Sequence, residues 1–339
     1  MSQMDRSLNT EGARALVLND LNPQPFWATV QQAKPTVIKA PKVPKDKKGK
    51  HEVHVVLPDP QVGYRDLPTG LDPFHDERAM DLALQITAWL EENDNLSSVI
   101  NLGDFLDLPS QGRFAQEAAF ASTTQSAIDR GHRFLVEQRA AAGPAAKIIL
   151  IEGNHDRRME NFIVANALSA YGIRRANTVE LPVMSLPYLL RLDEIGVEYI
   201  DAYPAGAYWI NDRLRAIHGT KVRSNGSTAA AYTNDTPHIS TVFGHVHRQE
   251  LQSRTVFNRD GAIKSIAISP GCLCRVDGAV PSVNGSAKIS GSPAVYYENW
   301  QQGIAIITTE GDSFSTELVQ IDEGVAWFRG RKFTSQKAV

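Results

Sequence analysis

Five short blocks along the chain hold residues of the kinds that bind metal ions. They are D-P-Q (Asp59 and Gln61), G-D-F-L-D (Gly103 to Asp107), G-N-H-D (Gly153 to Asp156), H-G (His218 and Gly219) and G-H-V-H (Gly244 to His247). Each offers a carboxylate, an amide oxygen or an imidazole, donors that suit Zn, Mn, Fe or Ni. None offers a cysteine, which disfavours a closed structural zinc site. Glycine beside several of them lets the backbone turn tightly and approach a substrate. The sequence has no G-x-S-x-G elbow and no P-loop, so no serine nucleophile of that kind is expected.

Residues so far apart meet only if the fold gathers them, and each block follows an apolar run that reads as a strand. VHVVLPD (Val53 to Asp59), SSVINLGD and KIILIEGN are β-branched runs ending in polar residues, and LRAIHG and ISTVFGH end at histidines. VEYI repeats the pattern without a terminal ligand. Between the first strands lie helical stretches, one with Leu82, Ile86 and Leu90 at four-residue spacing and one rich in Ala between about Glu117 and Ala142. Strands alternating with helices predict an α/β protein whose ligands gather at the carboxyl ends of the strands. The last third alternates apolar and polar residues between turns (QELQSRTVF, AIKSIAIS, GIAIITTEG, SFSTELVQI), which predicts antiparallel hairpins forming a second sheet packed on the first.

The chain has 339 residues, 42% of them hydrophobic and 22% charged, ordinary values that exclude collagenous, low-complexity and wholly disordered classes. Residues 1–50 carry nine basic and four acidic residues, +5, against a whole-chain charge of −3, so the remainder is −8. KPTVIKAPKVPKDKKGK interleaves Pro with Lys and cannot bury enough apolar surface to order itself, so 1–50 is expected to be a flexible tether. The acidic remainder argues against a surface coated for nucleic acid. No run is long enough for a membrane span, and the N-terminus lacks the apolar stretch of a signal peptide. Cys272 and Cys274, one residue apart, hardly ever close a disulfide at that spacing. On a strand they would point to opposite faces, so neither a bridge nor a metal role is expected, and a reducing cytoplasm fits best.

In order and in position the five blocks resemble the calcineurin-like metallophosphoesterases, over about residues 51 to 310. The resemblance implies a four-layer α/β/β/α sandwich of two mixed β-sheets flanked by helices, with a domain over 51–325 and a tail over 326–339. It also implies two divalent metal ions. Asp59, Gln61, Asp104 and His247 would surround the first ion, and Asp104, Asn154, His218 and His245 the second, with Asp104 between them. His155 resembles the family's histidine that protonates the leaving oxygen, and Asp107 the carboxylate that orients it. Two cations about 3.5–4 Å apart can grip the attacking and leaving oxygens of a phosphoryl displacement and generate hydroxide near neutral pH as the nucleophile. An imidazole suits proton donation to the leaving oxygen because it titrates near neutrality. The stretch Glu298 to Gly303, E-N-W-Q-Q-G, is also similar to metallophosphoesterases of bacteriophage genomes.

The sequence departs from the family pattern in two places. Where the family has D-x-H, the third residue is Gln61, which either ligates weakly through its amide oxygen or hydrogen-bonds a bound water. Direct ligation predicts a labile first ion and a lean toward Mn or Mg, with Zn, Fe and Ni as alternatives. Leu108 follows Asp107 where the phosphoprotein phosphatases place an arginine, which favours phosphodiesters. Arg157, Arg158, Lys221 and Arg223 are candidate phosphate holders, whereas Tyr64 and Arg65 read as a solvated loop. The expected activity is metal-dependent hydrolysis of a phosphodiester, foremost as a nuclease on DNA or RNA. A cyclic or small-nucleotide phosphodiesterase and a non-catalytic interaction module on the same fold are the alternatives.

Overall fold

The first strand, β1 (Glu52–Leu57), is buried on both faces, as a run of β-branched residues in the middle of a layered sheet must be. Val53, Val55 and Leu57 face a helical layer, while Val56 faces a second sheet. A computed structural model describes residues 50–113, 116–178, 181–259, 261–281 and 298–338. The Lys/Pro-rich segment lies outside the described residues up to residue 49.

After β1 come the hairpin β2 (Tyr64–Leu67) and β3 (Gly70–Pro73), helix α1 (Glu77–Asn93), β4 (Leu96–Asn101), α2 (Thr124–Ala142) and β5 (Lys147–Ile151). Then follow α3 (Arg158–Asn166), the short helices α4 (Leu186–Leu189) and α5 (Leu192–Ile195), β6 (Val197–Ile200), β7 (Ala207–Asn211), β8 (Leu214–Ile217), α6 (Thr228–Asp235) and β9 (Ser240–Phe243). The chain continues with β10 (Gln249–Asn258), β11 (Gly261–Pro270), β12 (Gln302–Glu310), β13 (Ser313–Asp322), β14 (Val325–Phe328) and β15 (Arg331–Thr334). Helix α1 starts where Asp76 accepts hydrogen bonds from the backbone N–H groups of Arg78 and Ala79. It buries Met80, Leu82, Ala83, Ile86 and Leu90 on one face.

An eight-stranded sheet runs β15-β14-β13-β12-β1-β4-β5-β6, and a five-stranded sheet runs β10-β11-β9-β8-β7. β1, β4, β5 and β6 are parallel, as are β8, β9 and β11. Ile100, Leu102, Ile149 and Ile151 of the larger sheet meet Leu214, Ala216 and Val242 of the smaller one in a dry inter-sheet core. Helices α1 and α2 cover the outer face of the larger sheet, and Ala229 and Tyr232 of α6 cover the smaller one against Phe243 and Ala267. The protein is thus an α/β sandwich of two mixed sheets flanked by helices, four layers deep.

The sequence reading needs correction in its last third. The hairpins do not all build the second sheet: β10 and β11 join it, whereas β12 pairs antiparallel with β1 and carries β13 to β15 onto the edge of the first sheet. Ala326, Phe328 and Phe333 are therefore buried against the main core, and the expected boundary at 325, with a tail over 326–339, cuts through a sheet. Tyr64 and Arg65 lie on a hairpin strand, not in a solvated loop. Arg65 is fully buried between Phe74 and Phe120, paired with Glu117, because its planar cation stacks on aromatic faces.

Candidate metal centre

All five blocks fall just beyond the carboxyl ends of parallel strands, after β1, β4 and β5 in one sheet and after β8 and β9 in the other. There the loops of both sheets converge, and the side chains they carry form two groups sharing one carboxylate. Asp59, Asp104 and His247 offer ligand atoms within 4.8 Å of one another, as do Asp104, His218 and His245. Asn154 Oδ1 lies 3.0 Å from His218 Nε2, and the Gln61 amide nitrogen lies 3.1 Å from His247 Nε2. All seven sequence-predicted ligands thus meet.

The backbone is bent to achieve this. Asp59, Gln61, Asp104, His245 and His247 have φ between 38° and 71°. That left-handed region costs a residue with a Cβ about 1–2 kcal/mol. Two glycines make room: a Cβ on Gly153 would sit 2.1 Å from the Asp104 backbone nitrogen, and one on Gly244 would sit 2.5 Å from Asp59 Oδ2. Backbone donors then lock the carboxylates, His245 N–H onto Asp59 and His155 N–H onto Asp104 Oδ1 at 2.7 Å. Asp156 ties two blocks together by accepting from the N–H groups of Gly153, Phe105 and Leu106, a positioning role the sequence alone did not reveal.

The electrostatics are those of crowded, opposed charges. Burial would raise the Asp104 carboxyl, but His155, His218 and His245 hold it well below the usual carboxylate range. Burial disfavours protonated His218, yet Asp104, 3.3 Å away, reverses this and raises it to about 9. Burial, then the neighbouring His218, lowers His245 to about 4. Burial and the charge of Asp104 raise Asp156 to about 6. His218 Nδ1 lies 2.9 Å from the Leu102 carbonyl oxygen, so it donates there and leaves Nε2 to face the cluster.

Divalent ions fit this donor set. It combines two carboxylates, three imidazoles and two amides at the ends of rigid strands, and the buried Gln61 Oε1 has no hydrogen-bond partner. Turning the Gln61 amide about its last bond would aim that oxygen at the same group.

Beside the ligands, His155 Nδ1 lies 3.0 Å from Asp107 Oδ1, and Arg158 contacts both Asp107 and, at 2.8 Å, His155 Nε2. An arginine N–H only donates, so Nε2 accepts here and the ring proton sits on Nδ1, donating to Asp107. A cleft of about 740 Å³ opens above the centre, lined by His155, Asn154 and Gln61 together with Arg113, Arg158, Arg248, Tyr203 and Trp300.

Of the four expected phosphate holders, only Arg158 lines the cleft. Arg157 pairs with Glu152 and Glu160, Lys221 pairs with Asp235, and Arg223 is exposed beside α6. Arg113 and Arg248 were missed, although Arg248 directly follows the last block. The cysteines also depart from expectation. Both Sγ atoms and His247 lie within 4.8 Å of one another, all three residues buried, with Cys274 Sγ 3.8 Å from His247 Nδ1. Strand alternation fails because the segment has left β11: Cys272 bridges to Gln302 and Cys274 to His75.

No family model matches the chain. Two curated relatives come from mycobacteriophages. Gene 54 protein of Mycobacterium phage D29 is 27% identical over 234 residues, 67% of this chain and 82% of the relative. Gene 54 protein of Mycobacterium phage L5 is 25% identical over 233 residues, with the same coverage. Among solved structures, vacuolar protein sorting 29 from Cryptosporidium parvum aligns with 84% of this chain and 99% of its own, at 11% identity and a TM-score of 0.33. No helix among the described residues is long and apolar enough to cross a membrane.

Proposed function

We propose that the protein hydrolyses phosphodiesters with the help of two divalent ions, manganese foremost, and that its substrate is nucleic acid. The observation that carries this reading is the pair of ligand groups sharing Asp104 on the floor of an arginine-lined cleft. When bound, two such ions would stabilise charge on the phosphoryl oxygens and make a water acidic enough to attack near neutral pH. Asp59, Gln61, Asp104 and His247 would hold one ion, and Asp104, Asn154, His218 and His245 the other.

The chain's own residues account for binding and proton handling. Arg248 lines the cleft with its Nε held by Glu250 at 3.1 Å, while Arg158 offers a planar guanidinium to a phosphoryl group. Leu108, buried where the phosphatases have their arginine, cannot. An incoming phosphate is a better partner for Arg158 than the imidazole it caps. Once Arg158 turns to it, His155 Nε2 is free to take up a proton from solvent and pass it to the departing oxygen, while Asp107 holds Nδ1.

The test is incubation of the purified chain with labelled oligonucleotides, cyclic nucleotides and bis(p-nitrophenyl) phosphate, with Mn, Zn, Ni and Mg in parallel. Strand cleavage that Asp104→Asn abolishes is expected. Turnover of cyclic nucleotides alone would move the substrate to small nucleotides, and a chain that binds no metal and cleaves no diester would sink the proposal.

A further inference from the structure

We infer that Trp300 is a stacking platform for the nucleobase next to the cleaved phosphate, so that the strand is bound single. This rests on the hydrolase reading above and names the form of its substrate. Trp300 is only part-buried, lines the cleft, and meets the His247 ring edge to face with centroids 4.2 Å apart. Its position is fixed by the backbone: Trp300 N–H donates to Glu298, and the next N–H, of Gln301, donates to the His247 carbonyl at 2.9 Å. The indole itself packs against the buried cluster of Phe74, Phe120, Cys272 and Cys274, which holds it beside one ligand group. Trp300 and Asp104 line the same cleft, so a base lying on the indole brings its nucleotide's phosphate into that cleft. Across the cleft Tyr203 packs near His218, 5.8 Å between centroids, so an aromatic ring flanks each group.

In a duplex each base is covered on both faces by its neighbours and paired along its edge, so it reaches such a platform only when unstacked and extruded. A single strand brings unstacked bases freely. Charge points the same way. The chain beyond residue 50 is net −8, and Glu298 stands on the cleft rim with Arg113, Arg158 and Arg248, so the cleft does not offer the long basic track that a duplex backbone needs. Stacking on an aromatic face supplies affinity where phosphate contacts are few.

The experiment compares kcat/KM for the dinucleotide TpT and for its abasic analogue, both with Mn, in the wild-type chain and in Trp300→Ala, Trp300→Leu and Trp300→Phe. The wild type should prefer TpT by roughly tenfold or more. That preference should collapse towards unity in the alanine and leucine variants and largely persist in phenylalanine. Because the readout is a ratio within one variant, a general loss of activity cancels, and the wild-type comparison needs no variant at all. Equal turnover of both dinucleotides by the wild type, or an unchanged ratio in Trp300→Ala, would overturn the platform and leave the hydrolase reading standing. Turnover of neither dinucleotide nor any other diester would overturn both.

Discussion

The two ends of the same parallel strands are built on opposite rules. Near its amino end, β1 carries His54, 3% exposed, with both ring nitrogens satisfied by Ser98 and Thr309 on the neighbouring strands. Burial lowers the ring to about 4 there, with the exposed Glu52 carboxylate 4.0 Å away too well solvated to reverse it. At the carboxyl end, Asp59 and Gln61 sit in left-handed backbone, Gln61 Oε1 has no partner, and His218 is raised to about 9 by Asp104. A buried imidazole is thus held by neutral hydroxyls at one end and set against a buried carboxylate at the other. Left-handed backbone and an unmet amide oxygen stand together where a ligand would supply what is missing.

The contrast breaks most severely at the shared carboxylate. Asp104→Asn should abolish tight binding of both ions and lower kcat/KM by about 10³-fold or more, some 4 kcal/mol, read by metal analysis and diester turnover; loss of one ion only would mean Asp104 is not shared. His155→Ala should lower kcat by about 10²–10⁴-fold at unchanged metal content, and an equal fall in bound metal would merge ligand and proton donor into one role. Gln61→His should tighten one of the two ions by about tenfold or more in a calorimetric titration; unchanged affinity would place Gln61 outside the coordination sphere.

The smallest effect on activity belongs to the amino end. His54 binds its proton at about 4 in the folded chain and at about 6.5 in the unfolded one. Its contribution to stability is therefore complete above pH 6.5 and is lost as pH falls through about 4. The total is about 3 kcal/mol. His54→Gln should flatten the fall in urea-unfolding free energy between pH 7 and pH 4.5 without changing metal stoichiometry. A slope as steep as wild type would assign the acid sensitivity elsewhere.

The clustered side chains were legible in the sequence because each is local to the end of a strand, and strands announce themselves by their apolar runs. What is built by long-range packing was not. Arg113 reaches the cleft from a segment without a local signal, Trp300 from the E-N-W-Q-Q-G stretch, whose resemblance assigned it no role, and Lys221 is paired with Asp235 in α6. Cys272 and Cys274 defeat period-two reasoning because their segment has left the strand and turned both thiols toward His247. The sequence showed β12 and β13 as a hairpin, but it left β14 and β15 in a tail and did not show that β12 would choose β1 as its partner over the second sheet.

The central claim is that two ions share Asp104. Electron paramagnetic resonance of the chain titrated with manganese tests it most directly. Two bound ions per chain with a spin-coupled signal are predicted, and that signal should vanish in Asp104→Asn. A single bound ion, or two giving only the signal of isolated manganese, would contradict the account.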